Sequence, residues 1–212
     1  MYYIALIVVA ILGIWMLGSY LAVRNIEEPA YTVVEKRSGY EIRAYAPYII
    51  AETQVSGTYA QALGGGFRVI ADYIFGNNTT KESISMTAPV LERRSEKIAM
   101  TVPVTTELGS DTSRTVSFVL PSTYTMDTLP TPNNEAVTLT KVPAQTVAAL
   151  RFSGYATEQR VAKKKELLLA RLATDNVTII GTEQVAQYNP PLSMPLLRRN
   201  EILIQIGGPE NQ

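Results

Sequence analysis

The order strand, Ser-Gly break, amphipathic helix occurs twice in this chain, and that repeat limits the possible folds more than any other feature. Pro47 is followed by Ile50-Ala51 and Val55-Ser56-Gly57, and Pro143 by Val147-Ala148 and Phe152-Ser153-Gly154. The offset is 97 residues at the Ser-Gly pairs and 96 at the prolines. A helix is predicted after each break, from Tyr59 to Phe75 and from Thr157 to Ala173. In the first, Leu63, Phe67, Ile70, Ala71 and Ile74 fall on one face at helical spacing, and Thr58 is placed to cap it. In the second, Val161, Leu168 and Leu172 mark the buried face and Lys163-Lys164-Lys165 the wet one. Because the order of elements repeats as well as the letters, the sequence predicts two similar β-rich halves. Each bears one helix, and they face each other about a pseudo-twofold axis. A groove between such halves is a natural place for a ligand.

Strand-like text fills the rest. Tyr31–Lys36, Tyr40–Tyr45, Tyr48–Val55, Thr115–Leu120, Val137–Lys141, Thr146–Phe152, Val177–Ile180 and Glu201–Ile206 are rich in β-branched and aromatic residues or alternate apolar and polar. A shorter repeat lies between the first helix and the middle of the chain. Ile84-Ser85-Met86-Thr87-Ala88-Pro89-Val90 is echoed 14 residues later by Ile98-Ala99-Met100-Thr101-Val102-Pro103-Val104. This predicts a hairpin whose tip is the charged stretch Glu92–Lys97, with each proline at an edge or bulge because it lacks an N–H. Residues 107–114 read as polar loop and 121–136 as an irregular connection.

Composition removes several kinds of chemistry. The 212 residues carry no net charge, which argues against nucleic acid as a partner, and they include no cysteine and no histidine. Thiol catalysis, zinc thiolate sites and the commonest general base are therefore absent. Gly64-Gly65-Gly66 lacks the spacing and the Lys-Ser/Thr of a phosphate-cradling loop. No catalytic residue and no metal site are expected, and the chain reads as a binding protein rather than an enzyme.

Residues 2–23 contain no charged side chain. As a helix they span about 33 Å, enough for a hydrocarbon core of about 30 Å. Tyr2, Tyr3 and Tyr20 sit near the ends, where interfacial aromatics belong. A cleaved signal sequence is the rival reading, but no Lys or Arg precedes the apolar run. The expected organisation is a single-pass anchor over 1–23, a linker over 24–30, a domain over 31–207 and a tail over 208–212. Arg24 alone bears on orientation and leaves the side of the soluble part open.

Several strings, in this order, resemble the SOUL heme-binding family. They are Gly39-Tyr40-Glu41-Ile42-Arg43-Ala44-Tyr45-Ala46-Pro47, Phe67 with Tyr73-Ile74-Phe75-Gly76-Asn77, and Met86-Thr87-Ala88-Pro89-Val90. Val116–Pro121, Tyr188-Asn189-Pro190-Pro191 and Arg198-Arg199-Asn200-Glu201 complete the series. The resemblance implies an α/β (α+β) fold: a distorted eight-stranded antiparallel β-barrel, flanked by two helices and built from duplicated halves. It also implies that heme or a related porphyrin binds in an apolar groove beside the first helix. Leu63, Phe67, Ile70, Ala71 and Ile74 would then form the wall, and Arg43, Arg68, Arg198 and Arg199 are candidates for the propionates. In some members a histidine proposed as the iron ligand stands where this chain has Ala44. Tyr45, Met86 and Met100 are the remaining candidates, so a tetrapyrrole would be held without histidine ligation. Two other functions stay open at this point. One is an effector-binding module for amphipathic or cationic molecules, with Glu41, Glu52 and Asp72 as its acids; the other is an interaction domain with a vestigial pocket.

Overall fold

The computed structural model describes residues 1–94 and 113–207. An apolar helix, α1 (Tyr2–Leu21), precedes strands β1 (Tyr31–Arg37), β2 (Tyr40–Tyr45) and β3 (Tyr48–Ser56), then helix α2 (Tyr59–Ile74). Strands β4 (Val90–Arg94), β5 (Ser113–Val119), β6 (Thr138–Val142) and β7 (Gln145–Phe152) follow, then helix α3 (Glu158–Thr174) and strands β8 (Ile179–Gln187) and β9 (Asn200–Ile206). Both predicted helices are present within a residue or so of their expected ends. Gly57 (φ 125°) and Gly154 (φ 89°) occupy equivalent positions at the two Ser-Gly breaks, in backbone that favours glycine. Thr58 and Thr157 then cap α2 and α3, each side chain accepting a bond from the N–H three residues on.

All the strands join one antiparallel sheet, in the order β1-β2-β7-β9-β8-β4-β5-β3-β6. Set β1 aside and the order has a twofold plan. β2 and β6, β3 and β7, β4 and β8, and β5 and β9 occupy mirror-image places, and the members of every pair are four strands apart in the chain. The pseudo-twofold passes between Leu91 and Ala186, which pair directly at the β4–β8 junction. The predicted duplication is thus the plan of the sheet, with one elaboration: β2 pairs with β7 of the second half, and β6 with β3 of the first.

The sheet is an open one of nine strands rather than a closed barrel of eight. β1 is the ninth, a hairpin partner of β2, and it is exposed from Thr32 to Lys36. β6 at the other end is likewise exposed or only half-buried, so neither end strand has an apolar face to carry round onto the other.

Two further expectations are corrected. The first Met-Thr-x-Pro-Val copy is not a strand before its last residue: β4 begins at Val90 and takes in Glu92 and Arg93, the start of the expected turn. β4 pairs with β5 and β8, and Glu92 is buried against Arg114. The second copy, Met100 included, and residues 107–112 and 208–212 lie outside the described residues. The short strand expected over 177–180 is instead β8, with a bulge between Ile179 and Glu183. The continuation Gly181–Gln184 is polar because Thr182 and Gln184 border a cavity and Glu183 pairs with Lys165, instead of packing in a core.

The core has three parts. Ile70, Tyr73 and Ile74 of α2 pack on Ala51, Val116 and Phe118. Val161, Leu168 and Leu172 of α3 pack on Ala148, Leu150, Ile202 and Ile204. Residues of the opposite strand parity, Ile50, Leu91, Val119, Val147, Ala149, Ala186 and Leu203, form a third cluster on the face away from the helices. α2 lies very close to β5: a Cβ on Gly66 would fall 2.5 Å from Val116 Cβ.

Candidate functional site

Three surfaces collect the residues singled out by sequence, and they do not converge on one place. The first is α2. Ile70, Ala71 and Ile74 are buried and serve as core, not wall. What α2 leaves open is a strip made by Leu63, Gly64, Phe67 and Arg68, which share a face at spacings of three and four residues. Leu63 is half-buried, while Phe67 is 37% exposed and rests on Phe118 with ring centroids 5.2 Å apart. A Cβ on Gly64 would meet nothing within 4 Å, so bare backbone faces solvent there. Arg68 is exposed and forms no ion pair among the described residues. The strip is therefore apolar, flat at its glycine and positive at one edge.

The second surface lies on the opposite face of the sheet, across the pseudo-twofold. A cavity of about 390 Å³ opens there between the two halves. Tyr45, Tyr48, Ile50 and Glu52 line it from the first half, with Leu91 and Arg93. Val147, Gln184, Leu203 and Gln205 line it from the second. Tyr45 and Tyr48 meet edge to face, with ring centroids 6.3 Å apart. Burial pushes the Tyr48 phenol up to about 12, so it stays protonated, and it accepts a bond from Gln145 at 3.0 Å. Glu52 accepts from Arg93 at 3.1 Å and from Thr140 at 2.7 Å. The cavity thus offers aromatic and aliphatic walls and two carboxylates neutralised within the protein, Glu52 by Arg93 and Glu92 by Arg114. Of the acids considered for a cationic ligand, only Glu52 is here: Glu41 pairs with Arg43, and Asp72 accepts a bond from Asn77 on the exposed side of α2. Tyr48, Arg93, Gln184 and Gln205 were missed in the sequence. The available signal was Glu52, a charge on the same strand face as Tyr48 and Ile50.

The third is a buried charge network at the end of β9. Glu201 is fully buried and takes both ends of the Arg43 guanidinium, at 2.8 and 3.1 Å. It also accepts from Tyr188 at 2.8 Å and from Arg199 at 3.0 Å. Arg43 lies over the Tyr31 ring and Arg199 over the Tyr188 ring, 4.5 and 3.8 Å from the centroids, and Arg199 reaches Glu28 as well. Burial alone would raise the Glu201 carboxyl, but the bond from Arg43 and the charges of Arg199 and Arg43 outweigh it and hold it below its usual range. Burial, reinforced by the Glu201 charge, pushes the Tyr188 phenol well up, so it remains a donor. Arg43 and Arg199 are thus committed within the protein. Arg198 stacks on Tyr155 at 4.3 Å and donates to the Ser193 and Pro191 carbonyls, away from α2.

Comparison with known proteins agrees with this architecture. The human protein Heme-binding protein 2 is 29% identical over 199 residues, which cover 90% of this chain and 92% of that one. Among solved structures, the EcmrR C-terminal domain superposes with a TM-score of 0.58 at 9% identity, over 84% of this chain and 98% of that one. A hydrolase from Listeria innocua gives 0.51 at 8% identity, over 82% of this chain and 94% of the other. At such identities the two structures show a common fold and nothing about chemistry. The family model described as SOUL heme-binding protein matches residues 26–205, from within the linker to the last strand, and the chain belongs to that family.

Proposed function

We propose that this is a single-pass membrane protein that binds heme or metal-free porphyrin reversibly on the open strip of α2, as a carrier, buffer or sensor and not as an enzyme. The observation that carries the reading is the strip itself: bare backbone at Gly64 beside Leu63 and Phe67, with the exposed Arg68, in no ion pair among the described residues, one turn on. A flat macrocycle needs an apolar contact and a cation for its propionates, and the strip has both. Leu63 and Phe67 would hold the ring and Arg68 a propionate. Bound heme would bring a redox-active iron. The strip offers that iron no imidazole or thiolate, since the chain has neither. Binding would then rest on contact and charge, which suits loading and release better than permanent retention.

The anchor is supported by α1, a 20-residue helix of mean hydropathy 2.4 with 6% of it buried in the protein. Its length of about 30 Å matches the hydrocarbon thickness.

The test is titration of the full chain in detergent with hemin and with metal-free protoporphyrin, followed by absorbance. The two ligands should bind with affinities within about threefold of each other, because the iron adds no bond to the protein. Gly64→Leu should weaken both by about tenfold, by covering the backbone and crowding the ring. It should leave the fold intact, as the site of its Cβ is open. A sharp six-coordinate Soret band would overturn the proposal. A second reading, an amphipathic or cationic effector in the cavity, is favoured by Tyr45, Tyr48 and Glu52 lining one space. Binding of a cationic dye that Glu52→Gln abolishes, with no response to porphyrin, would select it.

A further inference from the structure

Residues 190–197, Pro190-Pro191-Leu192-Ser193-Met194-Pro195-Leu196-Leu197, form a loop with an unusual surface. Leu192 is 87% exposed, Leu196 77% and Leu197 41%. Three large aliphatic side chains facing outward on one loop of a folded domain call for a reason. The loop is also fastened to α1. Trp15 donates its indole N–H to the Leu192 carbonyl at 2.9 Å, and Ser19 Oγ accepts from the Met194 N–H at 2.8 Å. Ser19 is the one buried residue of α1.

The position of these bonds matters. Trp15 lies six residues before Leu21, the domain-side end of α1. At about 1.5 Å per residue the loop therefore runs about 9 Å down the helix from that end. If α1 fills the hydrocarbon core, the loop tip reaches the depth at which interfacial segments rest, about 5–10 Å into the boundary between headgroups and acyl chains.

Most of the loop's backbone is prepared for such a place; among the described residues the Leu192 and Leu196 N–H groups and the Ser193 hydroxyl have no partner, and a loop resting at the boundary rather than in the hydrocarbon leaves those two N–H groups within reach of water. Irregular backbone enters a bilayer only when its polar groups are satisfied within the protein. Pro190, Pro191 and Pro195 have no N–H to satisfy. Each carbonyl from 190 to 195 has a partner: Ser193 N–H on Pro190, Arg198 on Pro191 and Ser193, Trp15 on Leu192, Leu197 N–H on Met194, and the Arg198 and Gly154 N–H groups on Pro195. Arg198, stacked on the half-exposed Tyr155, closes the loop on its domain side as a snorkelling cation and an interfacial aromatic do.

We propose that the 190–197 loop is a second membrane contact, with Leu192, Leu196 and Leu197 inserted into the outer layer of the same bilayer that α1 spans. The inference rests on the reading of α1 as an anchor. It adds that the domain is held against the membrane at a fixed orientation instead of swinging on a free tether.

The chain has no cysteine, so single labels are unambiguous. Full-length protein carrying Leu196→Cys, Leu192→Cys, Leu17→Cys or Lys163→Cys, each labelled with an environment-sensitive fluorophore, is reconstituted into phosphatidylcholine–phosphatidylglycerol vesicles. Quenching is then read with nitroxides placed shallow or deep on the lipid chains, and with aqueous iodide. Position 17 reports on the anchor, and position 163, exposed on α3, on bulk water. Labels at 192 and 196 should be quenched by about half by the shallow nitroxide and by little from iodide, as expected at the depth of interfacial segments. Quenching at 17 together with iodide access at 192 and 196 equal to that at 163 would overturn the loop contact and leave the anchor standing. Shielding from iodide at 192 and 196 without nitroxide quenching would mean a protein contact and overturn it as well. Absence of lipid quenching at 17 would remove both readings.

Discussion

Glu201→Ala should lower the stability of the domain by about 3–5 kcal/mol, enough to unfold much of a marginally stable protein. The carboxylate is fully buried, and its loss strands the Arg43 guanidinium, itself only 3% exposed, with Glu41 as its remaining acid. Tyr188 and Arg199 lose a partner in the same step. Urea denaturation of wild type and variant measures the difference. The pH dependence provides an independent check. The folded-state carboxyl titrates below its ordinary value of 4.5, so its contribution is complete above that value and is lost as the pH falls through the lower folded-state value. Wild type should therefore destabilise steeply below about pH 4.5, and the variant, already lacking the group, less steeply. A variant as stable as wild type at neutral pH would show that the network is dispensable.

Gly66→Leu should cost about 3 kcal/mol or more, whereas Gly64→Ala should stabilise by about 0.5–1 kcal/mol. The two glycines are two residues apart on one helix, and helix propensity alone would predict gains at both. Their surroundings differ. A Cβ at position 66 would fall 2.5 and 2.6 Å from Val116 Cβ and Cγ2, on a strand at the centre of the core under α2. Neither the strand nor the helix can retreat without opening the packing of Ile70 and Phe118. A Cβ at position 64 meets open space. Thermal unfolding of the pair decides the matter: equal shifts in Tm at both positions would mean that the close approach of α2 to β5 has no energetic weight. The same contrast separates a structural glycine from one whose bare backbone is available to a ligand.

The duplication was legible in the sequence because its signals are local. A Ser-Gly break in left-handed backbone, a Thr cap and an apolar stripe each declare themselves within a few residues. The strand exchange between halves was not, since nothing in residues 40–45 says that their partner lies at 145–149. The charge network was hidden for the same reason: Arg43 and Glu201 are 158 residues apart, and each reads as an exposed position of an alternating strand. Arg43, Arg198 and Arg199 were recognised as notable, but sequence could not show that buried acids, carbonyls and tyrosine rings already occupy them. On α2, periodicity identified the right face but could not divide it into buried Ile70, Ala71 and Ile74 and open Leu63 and Phe67. β8 extends beyond its apolar start because its polar residues are used rather than packed: Thr182 and Gln184 border the cavity and Glu183 pairs with Lys165, which local polarity does not reveal.

The exchange of β2 and β6 also governs how this protein can be made. At the ribosome the first half emerges with β3 and β5 ready to pair, but β3 gains its outer neighbour only when residues 138–142 appear. β2 must wait longer, for residues 145–149. A half-synthesised domain thus presents unfilled strand edges, a template for pairing with another nascent chain. The ordering contacts are long-range, so folding should be slow for a domain of this size and concerted across both halves. An apolar segment at the N-terminus that delivers the chain early to a membrane would separate nascent molecules during that interval, before either half can close its sheet.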